Sequence, residues 1–259
     1  MEVWFIWKAG GRFMKLEWAS VQELDHGIAI GPQLHRMLRE RIIRNDLAPG
    51  SKISESELAK SYSISRQPVR EAFIKLSEEG LIEIRPQRST IIRKIDYASV
   101  LDARFVREAI EADIVKLLAQ QPDAGLVKEL RAQLTEQSRV AKESPLRFIQ
   151  LDELFHRTLA EGADKSKAWK FVEGLKSQMD RVRFLSLSRF PLSKLIQQHE
   201  AIVDGISNGD IKVAEASMRL HLKEILTDLP EILAANPELF DAPVSSPLTE
   251  KNTNQEDKQ

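Results

Sequence analysis

The chain contains no cysteine. That excludes a disulfide framework, a zinc–cysteine site and a thiol nucleophile, so any metal centre must draw on His, Asp or Glu. Long apolar runs are also missing: none approaches the ~18 residues that a bilayer-spanning helix needs. The start, MEVWFIWKAGGRF, has an apolar patch, but Lys8 interrupts it. No basic segment precedes the patch and no small-residue cleavage site follows, so it reads as neither anchor nor export signal. A cytoplasmic protein with no membrane partner is expected. Residues 1–31 are expected to be an extension, either disordered or upstream of a true start at Met14 or later. The stretch 234–259, rich in Pro, Ser, Asn and charge, is expected to be disordered.

Excess charge of either sign is absent overall, with 38 Lys and Arg against 39 Asp and Glu, but the distribution is uneven. Between Pro32 and Lys94, 13 Lys and Arg stand against 8 Asp and Glu; between Asp96 and Glu231, 20 stand against 22. A basic module joined to a slightly acidic one points to a polyanion partner for the first alone.

The basic module has a clear order. Leu34, Leu38 and Ile42 recur at helical spacing in QLHRMLRERIIRND, and Pro49-Gly50 then breaks the helix. Ser54 can cap a short second helix with Glu57 at its third position. A third helix runs from Ser65 to Gly80, with Pro68 in the first turn, where its missing N–H is not needed. LIEIRPQRSTIIRKI then reads as two short strands around RPQRS. Helix–helix–helix–hairpin over residues 32–95 is the order of a winged helix-turn-helix DNA-binding domain. In the third helix Val69, Phe73 and Leu76 form an inward stripe, while Ser65, Arg66, Gln67 and Arg70 lie on the opposite face. Arg66 and Arg70, one turn apart near the helix start, suit the two acceptors of guanine in a major groove. Arg36, Arg39, Arg41 and Arg44 in the first helix are candidates for phosphate contacts, and Arg85 and Arg88 add charge at the wing. The bland alternative is a solvated basic helix.

These residues also carry a resemblance. SISRQPVREAFIKLSEEGLIEIRPQRS resembles the GntR family of bacterial transcription factors, whose pattern reads V-S-R-x-P-V-R-E-A-L followed by L-x-x-x-G-L-I. The resemblance implies operator contacts from Ser65, Arg66, Gln67 and Arg70, with the wing and Arg88 entering a minor groove. Two positions depart from the pattern: Ser56 stands where some members carry a DNA-contacting Arg, and Ser89 stands at a wing tip that is commonly Gly.

From residue 96 to 233 the strand signals stop. Helical stretches are expected at 97–121, 123–143, 146–162, 165–189, 192–208 and 211–229, separated by Pro122, Pro145, Pro191 and Gly209. Short connections favour antiparallel neighbours. The expected protein is therefore mainly α: a winged helix-turn-helix followed by an antiparallel helical bundle for effector binding and dimerisation. The bundle carries His156, His199 and His221, each with apolar neighbours at helical spacing, and Asp152 lies one turn before His156. Two readings stay open on these residues alone. The imidazoles are hydrogen-bonded core histidines, or the four side chains converge on a divalent ion such as Zn, Ni or Mn with coordination positions to spare.

D-x3-H followed by two spaced histidines is similar to the metal-binding form of the FCD domain, the effector domain of FadR-type GntR regulators. ARFVREAIEADIVKLLA is similar to that domain's first helix. The resemblance implies that Asp152, His156, His199 and His221 ligate the metal. It further implies that Arg107, with Arg104 three residues away, helps bind a small carboxylate or sugar-acid effector. The bland alternative for Arg107 is an ion pair with Glu111, and for Arg181 and Arg183 a solvated face. The expected function is that of a homodimeric transcriptional regulator, a repressor, binding a pseudo-palindromic double-stranded operator under metabolite control. Two other readings remain: a metal-dependent hydrolase or lyase, for which no spare general base is evident, and an interaction protein with purely structural histidines.

Overall fold

The computed structural model describes residues 4–7, 13–16, 24–85, 89–141, 145–186 and 191–241. In the amino-terminal head, helix α1 (Ile30–Ile43) buries Leu34, Leu38 and Ile42 completely. Helix α2 (Glu55–Ser61) is capped by Ser54, whose side chain accepts a hydrogen bond from the Glu57 N–H. Helix α3 (Arg66–Glu78) turns Val69, Phe73 and Leu76 into the same core, each with no exposed surface. Gly80 at φ +69° ends α3 in the left-handed conformation that favours glycine. Strands β4 (Ile82–Ile84) and β5 (Thr90–Ile92) pair antiparallel, Ile82 against Ile92. A strand the sequence does not announce, β3 (Lys52–Ile53), joins the free edge of β5, giving the order β3-β5-β4. Two residues are too few to show a period of two. Arg88, within residues 86–88, lies outside the described residues.

The body is helical throughout: α4 (Tyr97–Gln120), α5 (Ala124–Val140), α6 (Pro145–Gly162), α7 (Ser166–Leu175), α8 (Ser177–Ser186), α9 (Leu192–Ser207) and α10 (Ile211–Ala235). Asp96, Asp123 and Asp210 cap α4, α5 and α10 with their carboxylates. Phe155, Leu159, Ile202, Val203 and Met218 form the centre of its main core.

Three boundaries differ from expectation. The segment expected as one helix over 165–189 is two, α7 and α8, parted at Lys176. There the Lys176 ammonium turns inward to both oxygens of Asp180, 2.9 Å from each. Helix α10 passes through Pro230 rather than ending at Leu229, because Leu229 and Ile232 on either side are buried in one cluster with Ile95, Val100 and Phe240. Packing there outweighs the missing N–H. Order then persists beyond Ala234: strand β7 (Phe240–Asp241) runs parallel to β6 (Ile95–Asp96), and Phe240 is buried. Residues 242–259 lie outside the described residues. Within the extension, β1 (Trp4–Trp7) and β2 (Phe13–Leu16) pair antiparallel.

Candidate functional site

The head presents its candidate contacts outward. Ser65, Arg66, Gln67 and Arg70 are all exposed at the start of α3. Arg66 and Arg70 make no ion pair among the described residues. Together with Ser54, Ser56, Arg85 and Ser89 they line one groove between α3 and the wing strands. The arginines of α1 behave differently from one another. Arg39 is turned toward the body, donating to Glu79 Oε2 at 2.8 Å and to Asp180 Oδ2 at 2.8 Å, and Arg44 pairs with Glu40. Neither is free for phosphate.

In the body, Asp152 and His156 on α6, His199 on α9 and His221 on α10 converge. Their ligand atoms all lie within 4.8 Å of one another, and all four residues are buried. Each imidazole is oriented from behind. His199 Nδ1 donates to Gln137 Oε1 at 2.9 Å and His221 Nδ1 to Gln198 Oε1 at 3.1 Å. The amide nitrogens of those glutamines are committed elsewhere, Gln137 to the Leu151 carbonyl and Gln198 to Glu224, so their oxygens must face the rings. His156 Nδ1 lies 2.5 Å from Glu111 Oε2. All three Nε2 lone pairs therefore point to one centre, with His156 and His199 at 3.1 and 3.3 Å from His221. Facing lone pairs repel, whereas two ligands ~2.1 Å from one ion sit ~3.0–3.4 Å apart. Asp152 Oδ1, 3.5 Å from His199 Nε2, is buried without a hydrogen-bond partner. An orphaned carboxylate oxygen and three inward lone pairs fit a divalent cation.

The protonation states agree. Burial, aided by the neighbouring imidazoles, pushes His221 well below its ordinary value. Burial likewise lowers His199 to about 3, against the opposing pull of Asp152. Both are neutral at pH 7, the form that ligates metal. Burial alone would raise the Asp152 carboxyl, but Arg183, His156 and His199 hold it well below the usual range. Phe155 stacks on His199, with centroids 4.3 Å apart, and closes one side.

A cavity of about 390 Å³ adjoins this centre, lined by Arg107, Arg183, His221 and the apolar Met179, Leu195 and Ile225 among others. Arg107 reaches it while donating to Glu111 at 2.5 Å, so the ion pair and the cavity position occur together. Arg104 does not line it; three helical residues turn 300°, and the remaining offset sends Arg104 to Glu108, beside Arg219. The solvated face expected for Arg181 and Arg183 is overturned. Arg181 is buried, and Arg183 is half-buried, with 15% of its side chain exposed, and pairs with Asp152.

Residues 32–92 match the bacterial regulatory proteins of the gntR family, and residues 102–224 match the FCD domain. The HTH-type transcriptional repressor RspR of Escherichia coli (strain K12) is 37% identical over 213 residues, 82% of this chain and 93% of that one. The chain belongs to the gntR family of bacterial transcriptional regulators. The gluconate operon transcriptional repressor of Bacillus subtilis (strain 168) is a more distant relative, 26% identical over 73% of this chain and 80% of its own. The solved structure of E. coli McbR/YncC superposes with a TM-score of 0.67 at 15% identity, covering 79% of this chain and 98% of that one, a likeness of fold. A gntR helix-turn-helix implies DNA binding, and the relatives are regulators rather than enzymes. Among the described residues no helix is long and apolar enough to cross a membrane.

Sequence reasoning missed the partners that orient this regulator's histidines: Glu111, Gln137 and Gln198. Glu111 had a signal, one turn after Arg107. The glutamines had none, because polar residues on amphipathic helices are ordinarily solvent-facing. Glu111 itself is committed to Arg107 and His156.

Proposed function

We propose that this regulator is a homodimeric repressor whose operator affinity is set by a small carboxylate bound at a divalent metal in the FCD domain. The convergence of three Nε2 atoms and an unpartnered Asp152 oxygen beside a cavity bearing Arg107 and Arg183 carries this reading. Asp152, His156, His199 and His221 would hold the ion. It would supply an open coordination site for a carboxylate oxygen, and Arg107 offers a guanidinium for the same group. Arg104, turned away from the cavity, has no part in this. In the head, Ser65, Arg66, Gln67 and Arg70 face the major groove, and two heads related by a dyad would read half-sites ~34–36 Å apart. The site chemistry accepts Zn, Ni or Mn and small or sugar-derived acids alike, and the work is cytoplasmic.

The test is a thermal-shift screen of small carboxylates and sugar acids on chelator-treated protein reloaded with Zn²⁺, Ni²⁺ or Mn²⁺, followed by gel shift. A ligand of the native state raises the melting temperature. Metal-dependent stabilisation by an acid that also shifts operator binding is the expected result. Stabilisation by no metal and no acid would leave the structural-histidine reading in its place.

A further inference from the structure

Helix α8 touches both halves of the molecule. Toward the centre, Arg183 pairs with Asp152 Oδ2. Toward the head, Asp180 Oδ2 accepts from Arg39 Nη2 at 2.8 Å, and Ser177 Oγ accepts from the same nitrogen at 3.2 Å. Ser177 donates in turn to Glu79 Oε2 at 2.8 Å. Gln178 Nε2 donates to the Gly80 carbonyl at 2.8 Å, and Arg181 Nη1 to the Arg93 carbonyl at 2.9 Å, just before the linker. One ten-residue helix thus binds a candidate metal ligand, the end of α3 and the linker.

The charges on this helix are coupled. Arg183 keeps 15% of its side chain exposed and lines the cavity, and the anions acting on it are Asp152 first, then Asp180 and Glu153. Asp180 is three residues before Arg183 and already shared between Arg39 and Lys176. A largely desolvated guanidinium paired with a fully buried carboxylate needs a counter-charge when that carboxylate is engaged elsewhere. Asp152 cannot give its full charge to Arg183 and to a divalent cation together.

We propose that Arg183 is a positioning residue coupling the four-ligand centre to the DNA-reading head: ligation of a divalent metal by Asp152 turns Arg183 toward Asp180 and loosens the Asp180–Arg39 contact that holds the head. This rests on the metal reading above. The head–body contact then serves as the element whose two states the metal centre biases.

The absence of native cysteine allows a direct test. Spin labels at Lys60→Cys in α2 and Lys128→Cys in α5 report the head–body distance in the full chain, with labelled chains diluted in unlabelled ones so that distances within one chain dominate. Zn²⁺ binding is first measured by calorimetry. In the otherwise wild-type protein, Zn²⁺ should shift the distribution to a second, longer population. In Arg183→Gln, Zn²⁺ should bind without that shift, and Arg183→Lys should restore it. Asp180→Asn should show the longer population with or without Zn²⁺, an arm that stands even if Arg183→Gln fails to fold. Zn²⁺ bound with an unchanged distribution, or Arg183→Gln responding as wild type, overturns the coupling. Absence of Zn²⁺ binding overturns the metal centre itself, and the coupling with it.

Discussion

The two regions of this molecule use arginine in opposite ways. Arg66 and Arg70 in the head are exposed and make no ion pair among the described residues. Arg107 in the body is buried and held by Glu111, and the half-buried Arg183 is held by the buried Asp152. A surface that meets a large polyanion gains from free, solvated cations, because the partner supplies the counter-charge on binding. A site for a small ion or acid instead needs its charges held in place beforehand, and the fold must therefore carry the matching anions. Charge in the head answers to DNA, whereas charge in the body answers to the fold first.

The sharpest way to break this contrast is to remove one buried anion. Asp152→Ala leaves the largely desolvated Arg183 without its first partner and should destabilise chelator-treated protein by about 3–5 kcal/mol. Denaturant midpoints measure it, and an unchanged midpoint would show that the body pair is as dispensable as a surface one. Next come the head arginines. Arg66→Ala and Arg70→Ala should each abolish specific operator binding, each losing ~1–3 kcal/mol of base discrimination, with melting unchanged. Gel shifts on operator and on scrambled DNA decide it, and normal binding by both variants removes the recognition-helix assignment.

The orienting residues should give smaller effects. Gln137→Ala releases His199 and should weaken metal affinity ~10–100-fold, whereas His199→Ala should remove most of it. Both should leave metal-free DNA binding intact, as calorimetry and gel shift would report. The gentlest test is pH. The His199 pKa falls from 6.5 unfolded to about 3 folded, so between those values the unfolded chain binds the extra proton. Stability of chelator-treated protein should then fall as pH drops from 6.5, with Glu111, depressed to about 2 by Arg107 and His156 against burial, adding to the loss below 4.5. Arg66→Ala should follow the same curve, since its site holds no buried titrating group. A melting temperature flat from pH 7 to 4 would contradict this.

Much of the head is legible in the sequence. Leu34, Leu38 and Ile42, Val69, Phe73 and Leu76 announce their helices by spacing alone, and local punctuation at Pro49-Gly50 and Gly80 bounds them. Two features of the head are not legible there. One is β3, whose partner lies almost forty residues away; the other is the fate of Arg39, which is drawn to Asp180 across the domain junction rather than to phosphate. In the body, the Asp152–His156 pair is legible as one turn of helix; convergence with His199 and His221 is one of two open readings on the residues alone, and the resemblance to a metal-binding FCD domain favours it. Arg107 lines the cavity while Arg104 turns to Glu108, because spacing on a helix says which residues are near in angle, not which way a neighbouring helix lies.

The order of elements, the inward stripes and the exposed start of α3 can be read along the chain, because each depends on residues within a few turns of one another, and the lack of cysteine excludes thiol chemistry outright. Helix packing alone brings three Nε2 atoms to one point, sets Gln137 behind His199 and Gln198 behind His221, and places Arg183 against Asp152. Those relations join residues up to 69 positions apart, from Asp152 to His221, and their distances are set by helix packing, for which no local periodicity speaks.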